Sequence, residues 1–85
     1  MSRNVIRVHP QDNVAVAVVP IARGESVTGT DMAVLPAVTD IPRHHKVALA
    51  DIAPDAPIVK YGEAIARALT AIRAGEWVHT HNIIA

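Results

Sequence analysis

Apolar residues along this chain come in short β-branched bursts, broken every few positions by Pro, Gly, Asn or Asp. Val5-Ile6-Arg7-Val8 predicts a first short strand, closed at His9-Pro10, where the proline ring removes a ladder donor. Gln11-Asp12-Asn13 is turn chemistry. Val14-Ala15-Val16-Ala17-Val18-Val19 is apolar on both faces, the pattern of a strand covered on both sides. It runs into Pro20-Ile21-Ala22-Arg23-Gly24-Glu25, and Ser26-Val27-Thr28 resumes an extended pattern. Residues 29–36 and 37–42 read as short extended pieces and turns. Pro57-Ile58-Val59-Lys60-Tyr61-Gly62 predicts a strand with Lys60 and Tyr61 at its tip. Trp77-Val78-His79-Thr80-His81-Asn82 predicts the last one.

A repeat runs through this pattern. Val16-Ala17-Val18 precedes Ile21, Val47-Ala48-Leu49 precedes Ile52, and Arg67-Ala68-Leu69 precedes Ile72. After each Ile comes a tight turn, closed by Gly24-Glu25 in the first unit and Gly75-Glu76 in the third, with Asp55 taking that place in the second. Gly supplies the positive φ such a turn needs, and Asp tolerates it. The repeat also decides the reading of residues 63–73, whose Ala, Ile, Leu and Arg content favours an amphipathic helix. Ala68 aligns with Ala17 and Ala48, so the centre of that stretch is expected to be a strand. The fold class expected is all-β, one small domain over residues 1–85 made of hairpin-like units with at most short helical turns.

Composition narrows the function. The chain is 51% hydrophobic yet has no Phe, one Trp and one Tyr, so its core must be built from Val, Ile, Leu and Ala. A domain of 85 residues with so few large anchors has a thin core, to which a second copy or a different subunit could add burial. Eight basic and eight acidic residues cancel, and stacking aromatics are scarce, which argues against a nucleic-acid partner. Without cysteine there are no disulfides, thiolate metal sites or thiol nucleophiles. Neither a signal-peptide h-region nor an apolar run near the ~20 residues of a membrane span occurs, so a soluble cytoplasmic protein is expected.

Candidate chemistry gathers at strand ends. On an extended strand His79 and His81 share one face, beside the Asn82 amide. Two imidazoles suit a metal ion, a carboxylate or a polyol, but they fall short of the about three protein ligands of a catalytic zinc; plain polar-face histidines are the competing reading. His45-Lys46 and Lys60-Tyr61 occupy comparable places around the repeat. If the units pack together, these groups converge on one rim suited to an acidic, hydroxylated small molecule. As alternatives, Lys60 is a solvated edge charge, Tyr61 a locally bonded edge residue, and Arg43-His44-His45-Lys46 a solvated loop. No Gly-rich phosphate loop, nucleophile elbow or paired carboxylates appear, and Asp12, Asp51 and Glu76 lack the spacing for acid–base work. Alone, the chain holds too little for a self-sufficient enzyme.

Asp12-Asn13-Val14-Ala15-Val16-Ala17, His45-Lys46-Val47-Ala48-Leu49, Ile58-Val59-Lys60-Tyr61-Gly62-Glu63 and Gly75-Glu76-Trp77-Val78-His79-Thr80-His81-Asn82, in this order, resemble the small SAF (β-clip) domain of the altronate dehydratase and galactarate dehydratase family. The resemblance spans nearly the whole chain. It departs at His44, where Gly is expected before His-Lys, at Ala66, where Gly is expected after Ile65, and at Asp55-Ala56-Pro57.

The resemblance implies a small subunit of a metal-dependent dehydratase that eliminates water from a sugar acid, beside a large catalytic subunit and nearly inactive without it. It implies that His79 and His81 are catalytic or metal-contacting, with His45, Lys46, Lys60, Tyr61 and Asn82 near the substrate. It also implies a divalent metal, usually Fe2+, held mainly by the partner. Two other readings stand beside it: a sulfolactate sulfo-lyase small subunit, and a free-standing β-clip module that binds carbohydrate or peptide without catalysis.

Overall fold

Val14-Ala15-Val16-Ala17 shows why a strand can be apolar on both sides. In the computed structural model, which describes residues 3–85, it is the second of nine short strands: β1 (Val5–Ile6), β2 (Val14–Ala17), β3 (Ser26–Val27), β4 (Leu35–Pro36), β5 (Lys46–Ala48), β6 (Pro57–Lys60), β7 (Glu63–Ala68), β8 (Trp77–Val78) and β9 (Ile83–Ile84). Three antiparallel sheets result, in the orders β1-β2-β5-β8, β3-β4 and β6-β7-β9. The four-stranded sheet lies between two apolar clusters. Ala15 and Ala17 of β2 join Val5, Ile21, Val27, Ala37, Ile41 and Val47 on one side. Val14 joins Ala48, Ile52, Ile58, Ala68, Ile72 and Val78 on the other. Small alanines let the layers approach closely, and β-branched neighbours fill the space without aromatic rings.

The isoleucines hold the corners. Ile21 and Ile41 exchange both backbone hydrogen bonds, at 2.9 and 2.7 Å, and Ile52 and Ile72 do the same at 2.8 and 2.9 Å. Three residues after each Ile the backbone turns left-handed: φ is +90° at Gly24, +69° at His44, +66° at Asp55 and +88° at Gly75. Each turn is closed by the amide of the following residue: Glu25 to Ala22, His45 to Pro42, Ala56 to Ala53, and Glu76 to Arg73. The repeat therefore has four copies, and the one hidden in the sequence is Ile41-Pro42-Arg43-His44-His45. It was hidden because histidine occupies its left-handed position. The glutamate after glycine also has a job: Glu25 accepts the Ala22 amide at 2.6 Å and Glu76 accepts that of Arg73 at 2.9 Å. Gly75 meets a second demand, since a Cβ there would run into the Pro36 carbonyl oxygen.

Residues 63–73 contain a strand, and no helix occurs among the described residues. β7 pairs with β6 on one edge and β9 on the other, and this ladder outweighs local helix propensity. β6 and β7 are joined through Tyr61 and Gly62 at φ +57° and +74°, the doubly positive turn whose twist matches that of the strands. Three strands are shorter than expected. β1 stops at Ile6, so Val8 lies outside the ladder and 57% exposed. β2 stops at Ala17, because Pro20 has no amide to continue and Val19 already faces solvent. β8 ends at Val78. The thin core is real: the largest fully buried side chains are Ile41, Ile58 and Ile72. No helix among the described residues is long and apolar enough to cross a membrane.

Asp12 is the second stitch. Its carboxylate accepts the amides of His9, at 3.1 Å, and Gly62, at 2.8 Å, joining the β1–β2 connection to the β6–β7 turn. Burial pushes its pKa up, but the amides of Gly62, Tyr61 and His9, with the nearby His9 ring, outweigh that and hold it below the ordinary value.

Two predictions follow from these turns. Replacing His44 by Gly relieves a left-handed L-residue and should raise unfolding free energy by about 0.5–1 kcal/mol in a denaturant titration, whereas Gly75→Ala should cost several-fold more. A His44→Gly chain that is less stable than its parent would mean the imidazole contributes more than the turn costs. Because the Asp12 pKa is depressed on folding, its stabilisation is complete above the unfolded value near 3.8 and is lost as pH falls through the lower folded value. Asp12→Asn should therefore cost about 1–3 kcal/mol at pH 7. The gap between the two proteins should close as pH is lowered past about 3.8, which thermal melts across pH will show.

Candidate functional site

Beyond Val78 the chain does not continue as a strand. His79-Thr80-His81-Asn82 is a tight turn in which the Asn82 amide donates to the His79 carbonyl at 3.0 Å. The Asn82 side chain completes it: Oδ1 accepts the His79 amide at 3.0 Å and Nδ2 donates to the Trp77 carbonyl at 2.9 Å. Asn82 is only 2% exposed. Its amide is thus committed to the backbone of the turn that carries the histidines. The expected strand alternation of His79 and His81 is corrected, because local Asx turn chemistry wins over the extended pattern. The same device appears at His9-Pro10-Gln11-Asp12, where Asp12 caps its own turn on His9.

The turn nevertheless gathers the imidazoles, on a residue absent from the expected set. The Trp77 ring lies 5.7 Å from His79, stacked within 10°, and 4.7 Å from His81. His45 sits 5.6 Å from Trp77 and 4.3 Å from His79 by ring centroids. Trp77 Nε1 donates to His45 Nδ1 at 3.0 Å. The register of β5 on β8, with Lys46 opposite Val78 and Val47 opposite Trp77, brings these groups from 32 residues apart. Trp77 was legible as the one tryptophan, two positions from His79, although the aromatic content alone gave no reason to single it out.

The lysines close the rim. Lys46 is half-buried; loss of solvent lowers its pKa, and the neighbouring Lys60 charge lowers it further. Lys60 Nζ lies 4.9 Å above the Tyr61 ring, a cation–π contact. The His79 pKa is lowered as well, first by desolvation and then by His45, Lys46 and His81. Every charged neighbour that shifts Lys46 or His79 is basic, so the rim is a local concentration of N–H groups on a chain of zero net charge. His45, His79 and His81 thus pack on Trp77, Lys46 is near enough to His79 to shift it, and Lys60, over the Tyr61 ring, is near enough to shift Lys46.

Such a set can bind an anion, donate hydrogen bonds to hydroxyl groups and, through a neutral imidazole, accept a proton. It is not a complete metal centre. Among the described residues no group of three or more His, Cys, Asp or Glu side chains could hold a metal ion. His45 Nδ1 already accepts the indole hydrogen, so in the neutral ring Nε2 carries the proton and no lone pair remains for a metal. A divalent ion at His79 and His81 would need its remaining ligands from outside the described residues. Two cavities, of about 390 Å³ beside Pro20, Ile41 and Pro42 and about 210 Å³ beside Arg7 and His9, lie elsewhere.

Residues 3–85 match the family model described as the altronate/galactarate dehydratase SAF domain. Over 77 residues, 91% of this chain, it is 46% identical to altronate dehydratase of Escherichia coli, of which it covers 15%. It is 39% identical over 80 residues, 94% of this chain, to altronate dehydratase of Bacillus subtilis, covering 16% of that protein. A match of 46% identity over 43 residues, 51% of this chain, joins it to the (2R)-sulfolactate sulfo-lyase subunit alpha of Chromohalobacter salexigens and covers 46% of that subunit. The chain spans about one sixth of the length of these two dehydratases. With the four-fold Ile turn, the all-β sheets and the basic rim accounted for, the chain belongs to the SAF-domain family of the altronate and galactarate dehydratases.

Proposed function

We propose that this chain is the SAF module of an altronate dehydratase-type hydro-lyase, acting in the cytoplasm as the small partner of a larger catalytic polypeptide. The observation that carries this reading is the packing of three imidazoles on Trp77, with Lys46 near enough to shift His79 and Lys60 near enough to shift Lys46. Eliminating water beside a carboxylate requires that the carboxylate be held, a proton be removed from the adjacent carbon, and a hydroxyl leave. Lys46 and Lys60 supply charge for the carboxylate. His79 is the residue for the proton, since desolvation and its basic neighbours keep it neutral to lower pH than an ordinary imidazole. His81, more exposed, is placed to donate to the leaving hydroxyl; Tyr61 and His45 contribute hydrogen bonds to the remaining hydroxyls.

A divalent metal such as Fe2+ would polarise the departing hydroxyl; its ligands, beyond any offered by His79 and His81, would come from the larger polypeptide. A second reading, a sulfo-lyase small subunit that eliminates sulfite, is favoured by the match to a subunit named alpha, a protein closer in size to this chain.

The experiment is to purify this chain with and without the product of the neighbouring reading frame and to measure turnover of altronate, galactarate and sulfolactate. The reading expects dehydration only when both chains are present, a loss of about 10²–10⁴-fold on His79→Ala or His81→Ala, and little change on Arg67→Ala, an exposed residue whose ion pair is with Asp55. Turnover of sulfolactate alone selects the second reading. No complex and no turnover of any of the three acids would remove both.

A further inference from the structure

The resemblance gives Trp77 no role at the site, yet it is the centre on which three histidines pack. Its own position is set from both sides of the backbone. The Trp77 amide donates to the Thr39 hydroxyl at 2.9 Å, and its carbonyl accepts from Asn82 Nδ2. The side chain is half-buried, so its one polar atom needs a partner, and that partner is His45 Nδ1 at 3.0 Å. An indole nitrogen only donates. The bond is therefore one-way and requires an unprotonated Nδ1 on His45.

We infer that Trp77 is a positioning residue that fixes the tautomer of His45, so that this ring turns an Nε2–H donor, not a lone pair, toward the rim. The consequence for recognition rests on the proposed sugar-acid function. A donor suits a carboxylate oxygen, which only accepts and which a lone pair would repel. Trp77 does this without touching the ligand itself, by occupying the only other nitrogen of His45. The neighbouring rings are kept apart from this role, since Trp77 stacks on His79 and tilts against His81 through its π-face, leaving the indole edge for His45.

The test is nitrogen-15 NMR of the histidine side chains in the full chain at a pH where the rings are neutral, with His45 assigned by its loss in His45→Gln. The unaltered chain should show His45 with its proton on Nε2. Trp77→Phe keeps a ring for the other imidazoles but removes the donor, and should lower the ratio of Nε2–H to Nδ1–H at His45 by roughly fivefold, the effect of one hydrogen bond of ordinary net strength. An unchanged ratio in Trp77→Phe would overturn the inference. So would an Nδ1–H ring in the unaltered chain, a result that needs no variant to fold. Titration with tartrate, a hydroxylated dicarboxylate, separates the two readings. If tartrate fails to shift the rim histidines while the tautomer behaves as stated, the anion-binding reading fails and the role of Trp77 stands. If tartrate binds equally well to both chains although the ratio has dropped, positioning has no bearing on recognition and the inference fails.

Discussion

The short ladder between β5 and β8 decides what the rim contains. Only two residue pairs define it, Lys46 with Val78 and Val47 with Trp77. Side chains alternate across a sheet, so slipping this pairing by one residue would send Trp77 to the wrong side and carry His79 away from His45. Two pairs are a weak specification by themselves. What secures them is the burial of Val47 and Val78 in opposite clusters, the first on the side of Ile21 and Ile41, the second on the side of Ile52 and Ile72. A slipped register would expose one valine and bury charge in its place. At about 25 cal/mol per Å² of apolar surface, that is a penalty of roughly 2 kcal/mol or more for each misplaced side chain. The apolar core and the chemistry at its edge thus share one constraint.

A neutral chain acquires a basic rim because its acids are used elsewhere. Of eight acidic residues, five accept backbone amides: Asp12, Glu25, Asp40, Asp51 and Glu76. Each is consumed at a turn, closing a corner of the repeat or tying one turn to another. The one ion pair among the described residues, Arg67 with Asp55 at 3.7 Å, is solvent-exposed and contributes little. No carboxylate is among the neighbours that shift Lys46 or His79. Net charge therefore says little about this surface; the division of labour between turn acids and rim bases says more.

Much of this was readable from the residues. The β-branched run at 14–19 announced a strand covered on both faces, and the alignment of Ala68 with Ala17 and Ala48 placed a strand where helix propensity pointed the other way. Two things were not readable. The fourth Ile turn was masked by a histidine in a glycine's conformation, since His at positive φ is uncommon and leaves no mark in the sequence. The C-terminal turn was masked by hydrophobic context. Trp-Val-His-Thr-His looks extended, and only Asn82, able to bond both His79 and Trp77, bends it. The family resemblance, by contrast, rested on residue order and held across residues 3–85.

Two departures from local rules stand beside rim residues. His44 is one of four non-glycine residues with positive φ among the described residues, and it stands immediately before His45; Tyr61 is another, and it stands immediately after Lys60. A left-handed conformation costs an ordinary L-residue about 1–2 kcal/mol, and an aromatic such as Tyr61 gains nothing locally from bearing it. Glycine would serve the backbone better at both places. Tyr61 in fact precedes Gly62, so the turn already holds one residue suited to it. What the costlier side chains add is position: Tyr61 sets a ring 4.9 Å beneath the Lys60 ammonium, and the bend at His44 delivers His45 to the Trp77 edge. Strain of this kind persists where surrounding structure over-determines it, and it concentrates at sites that act on ligands. Here the surrounding structure is the Asp12 stitch beneath Tyr61 and the Ile21–Ile41 bridge behind His44, both of which hold the backbone in place whatever side chain it presents.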